Sequence, residues 1–126
     1  LPYAAASFRG VCISFALHDK PAELRGRMLD EAKRVLAPGG YLVLLDFERP
    51  WNSRSRRWAP LVRLVERLAG REHYLNGRAF LAEGGLRSLI EKAGLLEVER
   101  DEFEASGAAL VLARPGQARR QGACAG

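Results

Sequence analysis

The stretch 29–46, LDEAKRVLAPGGYLVLLD, constrains this chain more than any other. It reads as the end of an amphipathic helix, a Pro-Gly-Gly break, and a strand without a charged residue until Asp46 at its tip. Successive side chains of a strand point to opposite faces, so a strand apolar at every position is normally covered on both faces. Such strands belong to the parallel sheets of α/β proteins. The expected fold class is therefore α/β.

The neighbouring segments extend this unit. Residues 10–17, GVCISFAL, read as a second buried strand in which Val11, Ile13 and Phe15 are good strand formers. Cys12, inside this run, is expected to be packed in the core rather than bridged to Cys124. His18-Asp19-Lys20 makes a polar break at the strand's end. Pro21 suits a first helical turn, Glu23 suits its positive end, and Asp19 is the better capping residue before it. Leu24, Met28, Ala32 and Val35 share one helix face, widened by Leu29 and Leu36. Arg25, Arg27, Asp30, Lys33 and Arg34 are expected to face solvent. Pro38 stops the helix, and a strand over 41–47 follows. Strand, helix and strand make a βαβ unit with a right-handed crossover. His18 and Asp46 should then lie on the rim formed by the strands' C-terminal ends, where open α/β sheets bind ligands.

Beyond this unit, Leu61, Leu64, Val65 and Leu68 predict a helix after a loop that carries Trp51 and Trp58. A polar connector over 71–77 and a short helix over 78–83 are expected next, broken at Gly84-Gly85. Leu86, Leu89, Ile90 and Ala93 predict another helix, stopped by Gly94. Two strands over 95–103 and 108–114, joined by four residues, predict an antiparallel hairpin. The organisation read here is one unit over 1–114 and a disordered tail over 115–126.

Composition narrows the function classes. No run approaches the roughly 18 apolar residues of a membrane span, and no secretory leader is recognisable. Two histidines at unrelated spacings do not read as a metal site, and two cysteines suit a reducing cytoplasm. The 126 residues carry a net charge of +5, concentrated between Arg54 and Arg71, where six basic side chains meet one acidic residue. This segment is read as the solvated face of a helix; binding of phosphate, nucleic acid or an anionic surface is the alternative. A start at Leu1-Pro2-Tyr3 rather than at Met leads us to expect the back part of something longer.

Read together, LPYAAASF, VCISFALHDKP and RVLAPGGYLVLLDF resemble the second half of class I S-adenosylmethionine-dependent methyltransferases, in particular the small-molecule group that includes quinone-biosynthesis enzymes. Residues 71–86, REHYLNGRAFLAEGGL, are similar to the segment such proteins carry between their fifth and sixth strands. The resemblance implies a partial Rossmann-like sheet with two parallel strands, a C-terminal antiparallel hairpin whose last strand is the family's seventh, and helices packed on the sheet. It also implies S-adenosylmethionine as cofactor, with Leu1 and Pro2 beside the adenine and Phe15 and Ala16 lining the methionine end. Arg9-Gly10 stands where the family commonly has Asp after Ser-Phe. The family's first three strands are missing, together with its Gly-rich turn and the acidic strand end that holds the ribose.

Methyl transfer from a sulfonium is a direct displacement, so the protein aligns the partners and sometimes supplies a base. His18, just past a strand's C-terminal end, is the candidate catalytic base; a hydrogen-bonded junction histidine is the structural reading beside it. His73 and Tyr74 are candidate substrate-binding residues, because their segment resembles the family's variable lid. Asp46 is read as reaching the rim or capping a loop. The function expected by ancestry is methyl transfer to a small molecule, with weak or no cofactor binding and no turnover by these residues alone. The alternative is a non-enzymatic interaction module. Its exposed sheet edge at 10–17 would take a partner chain or a second copy.

Overall fold

A computed structural model describes residues 1–48, 70–104 and 106–116. The elements run β1 (Phe8–Ser14), α1 (Ala22–Val35), β2 (Leu36–Phe47), α2 (Arg71–Ala82), α3 (Gly85–Lys92), β3 (Leu95–Phe103) and β4 (Ala108–Pro115). The four strands form one mixed sheet in the order β1-β2-β4-β3. β1 pairs parallel to β2, β4 lies antiparallel to β2, and β3 and β4 form the antiparallel hairpin. The α/β class, the parallel pair and the hairpin all match the expectations from sequence. The helix expected over Leu61–Leu68, the two tryptophans, most of the Arg54–Arg71 segment and nearly all of the tail lie outside the described residues.

Strand register decides what the sheet buries. Val11, Leu42 and Ala113 stand side by side, as do Ile13, Leu44 and Val111, and then Asp46 and Ala109. This face meets Leu29 and Ala32 of α1, Phe80 of α2, and Leu86 and Ile90 of α3 in one buried cluster. Each fully buried leucine or phenylalanine contributes on the order of 2 kcal/mol to this packing. On the other face Val43, Leu45, Phe47, Leu110 and Leu112 are only half-buried.

Here several expectations need correction. The strand expected over 10–17 is shifted to Phe8–Ser14 and mostly exposed, and Cys12 is exposed rather than packed. The reason is position: β1 is an edge of the described sheet, and Cys12 lies beside Val43 on the face away from the core cluster. Apolar composition signals a strand that can be covered on both faces, not one that is.

The Pro-Gly-Gly turn is not a loop before β2 but an irregularity inside it. Phe8 pairs with Leu36, yet the next pair is Gly10 with Tyr41, so Ala37–Gly40 bulge out of the ladder. Gly39 adopts a φ of 75°, which an L side chain resists. Gly40 is buried, and a Cβ there would stand 2.8 Å from the carbonyl oxygen of Arg9.

The first helix departs from its helical-wheel reading at two positions. Arg25 is 2% exposed and Leu24 is 38% exposed. Arg25 donates through Nε to the Lys20 carbonyl (2.9 Å) and through Nη1 to Glu83 (3.2 Å), and its guanidinium lies 5.1 Å from the Phe80 ring centre. A planar, weakly hydrated guanidinium can be buried this way where an ammonium could not. Asp19 does not cap α1; Pro21 occupies the N-cap with no side-chain hydrogen bond. The expected connector over 71–77 and short helix over 78–83 are one helix, α2.

Candidate functional site

The parallel pair ends in a tightly joined corner. β1 finishes at Ser14, and the Phe15 amide still donates to the Leu45 carbonyl at 2.8 Å. Phe15 then takes a φ of 47°, in the left-handed region that a non-glycine residue enters at a cost of roughly 1–2 kcal/mol. Despite this strain its side chain is 46% exposed. It leans on Phe47 at 5.5 Å and on His18 at 6.5 Å between ring centres. Strained residues held by their surroundings gather at functional sites.

Asp46 organises the corner. Its side chain is fully buried, yet it has four donors. Oδ2 accepts the backbone amides of Leu17 (3.0 Å) and His18 (3.2 Å). Oδ1 accepts the Phe47 amide (2.8 Å) and bonds Nδ1 of His18 (2.8 Å). A buried carboxylate is tolerable only when its lone pairs are satisfied in this way. The arrangement links the end of β2 to the turn after β1 through one side chain.

The His18 ring is 13% exposed. Phe47 meets it edge-on at 4.9 Å and His73 at 5.4 Å. His73 comes from the first turn of α2, and its Nδ1 lies 3.6 Å from Asp19 Oδ2. Asn76, one turn along α2, donates to the Asp19 carbonyl at 2.9 Å. α2 thus lies across the rim. The other Asp19 oxygen, Oδ1, is buried without a hydrogen-bond partner among the described residues.

The expected site residues are therefore only partly gathered. Phe15, His18 and His73 meet at the rim, Ala16 lies between Phe15 and His18 in the chain, and Tyr74 follows His73 with the Arg78 guanidinium 5.8 Å from its ring centre. Leu1 and Pro2 are elsewhere. Leu1 and Tyr3 are held through their carbonyls by Arg34, in the last turn of α1, at the end of the sheet opposite the rim. The role of Asp46 was only half legible, because a strand-end carboxylate has the same sequence signature whether it caps a loop or holds a histidine.

A second polar cluster locks the other side of the fold. Glu48, 8% exposed, accepts the Arg87 amide at 3.0 Å and Arg100 Nη1 at 2.9 Å. Arg100 also bonds Glu97, and this contact holds the Glu97 carboxyl below the usual carboxylate range. The same bond, with that to Glu48, raises the Arg100 guanidinium further. Its place at the junction of β2, α3 and β3 marks this cluster as structural.

Nothing in the described residues forms a group of histidine, cysteine and carboxylate side chains able to hold a metal, and no described helix is long and apolar enough to cross a membrane. The rim's chemistry is compatible with one side of a cofactor such as S-adenosylmethionine. It offers an exposed aromatic side chain, a strand end and an imidazole, but no Gly-rich turn to approach a charged headgroup.

Residues 1–44 match the methyltransferase domain family. The chain is 36% identical over 121 residues to a demethylmenaquinone methyltransferase of Clavibacter sepedonicus, covering 87% of this chain and 49% of that protein. It is 34% identical over 109 residues to one from Mycobacterium sp. (strain KMS), covering 78% of this chain and 46% of that protein. The fold is that of a crystal structure of an S-adenosylmethionine-dependent methyltransferase from Methanosarcina mazei, with a TM-score of 0.55 and 18% identity over 92% of this chain and 63% of that one. A methyltransferase candidate from Bacillus halodurans aligns with a TM-score of 0.56 and 16% identity over 92% of this chain and 73% of that one. The chain resembles class I S-adenosylmethionine-dependent methyltransferases in sequence and shares their fold. It spans about half the length of the curated relatives it matches.

Proposed function

We propose that this chain provides the acceptor-side rim of a domain that transfers a methyl group from S-adenosylmethionine to a small molecule. The observation that carries this reading is the corner itself: a strained, exposed Phe15 beside a histidine anchored to a buried carboxylate, at the C-terminal ends of two parallel strands. Backbone strain and a buried carboxylate are both costly, and such costs gather at functional sites. In this reading Phe15 and Ala16 line the cofactor's methionine end, and His18 accepts the proton that the acceptor loses. His73 and Tyr74 border the acceptor. The reading rests on the rim and not on Leu1 and Pro2. The demethylmenaquinone methyltransferases among the relatives favour a quinone-type acceptor.

The test is a complete domain carrying this chain. His18→Ala should lower turnover by about 10²- to 10⁴-fold, the usual share of general-base catalysis, with cofactor affinity unchanged. Unaltered turnover would remove the base role. Lost cofactor affinity would move His18 to the binding side.

A second reading concerns the chain as a binding partner, and its supporting observation is the sheet edge. Among the described residues no strand pairs with the outer side of β1, whose residues are mostly exposed. An unpaired strand beside a half-buried apolar sheet face favours association with another strand. We infer that this edge docks the rest of such a domain, and a second copy where that is missing. Sedimentation should show concentration-dependent association; a cooperatively melting monomer at all concentrations would rule it out. The anion-binding alternative rests on the segment between Arg54 and Arg71, nearly all of it outside the described residues.

A further inference from the structure

We propose that Asp46 is a positioning residue that fixes the tautomer of His18 and so aims its unprotonated nitrogen at the acceptor. The inference rests on His18 being the base proposed above, and it adds the residue through which that base is prepared.

The argument is one of hydrogen-bond inventory. An ionised carboxylate only accepts, so the 2.8 Å contact between Asp46 Oδ1 and His18 Nδ1 requires the proton to sit on Nδ1. The neutral ring then has its lone pair on Nε2. No group among the described residues makes a hydrogen bond to Nε2, whereas Nδ1 is committed. The carboxylate cannot rotate away, because three backbone amides hold it: Leu17 and His18 on Oδ2, and Phe47 on Oδ1. The ring is held too, by the edges of Phe47 and His73. A buried acceptor fixed by the backbone and bonded to the far nitrogen of an imidazole is the general means by which proteins select a histidine tautomer.

The positively and negatively charged groups facing His18 follow from the same contacts. Asp46 lies behind the ring, and Asp19 with Lys20 lies on the connecting turn. His73 faces it from α2. When the acceptor X–H gives its proton to Nε2, the X–H electron pair would stay on X and form the bond to the methyl group, while the sulfonium's methyl–sulfur bond would break and leave its pair on sulfur as a neutral thioether. The ring becomes an imidazolium, and Asp46 balances its charge without taking the proton. The ligand class this implies is an acceptor whose attacking atom carries an acidic proton or lies beside one.

Asp46→Asn tests the effect, at the cost of the Phe47 amide's acceptor on Oδ1. The asparagine carbonyl must take the Oδ2 position, where two amides need an acceptor. Its NH₂ group then points at His18 Nδ1, which has to accept, and the ring proton moves to Nε2. Long-range ¹H–¹⁵N correlation spectra of the chain at alkaline pH read this directly. The parent chain should show a protonated Nδ1 and an unprotonated Nε2, and Asp46→Asn should exchange the two. A residue that merely caps the loop would leave the tautomer as it was, and that result overturns the proposal. Should Asp46→Asn not fold, the parent spectrum decides alone: a protonated Nε2 overturns the proposal, and a protonated Nδ1 upholds it.

In the complete domain, Asp46→Asn should cost about 10²-fold or more in turnover while leaving cofactor affinity intact. If His18→Ala is also without effect on turnover, the base reading fails, while the tautomer result stands on its own. If His18→Ala is damaging and an inverted tautomer is harmless, the positioning role is wrong and the base role survives.

Discussion

Replacing Asp46 by alanine is expected to lower the chain's unfolding free energy by about 3–5 kcal/mol, the scale for removing one partner from a buried, hydrogen-bonded charge. The magnitude comes from what is left behind. The amides of Leu17, His18 and Phe47 lose their side-chain acceptor, and His18 Nδ1 loses its anchor. Leu17 is fully buried, so water cannot replace the lost acceptor there without opening the corner. Denaturant titration of the two chains measures the difference, read as a shift of midpoint at constant slope. A loss below about 1 kcal/mol, the net worth of one ordinary hydrogen bond, would mean that the corner relaxes freely and that Asp46 does not organise it.

Gly85→Ala is expected to be nearly as damaging, by about 2–4 kcal/mol, for a different reason. Gly85 opens α3 with a φ of 63°, where an L side chain costs roughly 1–2 kcal/mol. An added Cβ would also stand 2.5 Å from the Glu48 carbonyl oxygen. That neighbour is backbone and cannot turn aside. Moving it would displace the Glu48 side chain from the Arg87 amide and from Arg100, so an overpacking cost of about 1–3 kcal/mol adds to the strain. Gly26→Ala, in the exposed part of α1 with nothing within 4 Å of the new Cβ, is the matched control. It should be neutral or stabilising, because alanine restricts the unfolded chain. Equal thermal midpoints for Gly85→Ala and the parent would show that α3 does not sit on the end of β2 as described.

These two substitutions also mark what the sequence could reveal and what it could not. Gly84-Gly85 was legible as a break between helices, since consecutive glycines punctuate a helical pattern. That one of them must stay glycine because a distant carbonyl lies against it depends on tertiary approach, and nothing local encodes it. The strand–helix–strand order was legible from periodicity, and the hairpin from its short link. The burial of β1 was not, because an apolar run reports the covering a strand can accept. Whether it receives that covering depends on neighbours, and among the described residues β1 pairs only with β2. Arg25 was assigned to solvent on charge alone, and it is buried because its guanidinium finds Lys20, Glu83 and Phe80 at once. Within the site, His18 was found from its place at a strand end. Its partner across 28 residues of sequence was recognisable only as another strand-end residue.

The central proposal is that Phe15, Ala16 and His18 form one side of a cofactor and acceptor site. Calorimetric titration of S-adenosylmethionine into the chain alone tests that claim most directly. The account predicts no saturable heat below millimolar cofactor, because the strand ends present here offer an aromatic contact and an imidazole but no turn that grips the cofactor's charged end. Tight binding with one cofactor per chain would contradict it, and would make this rim a complete site.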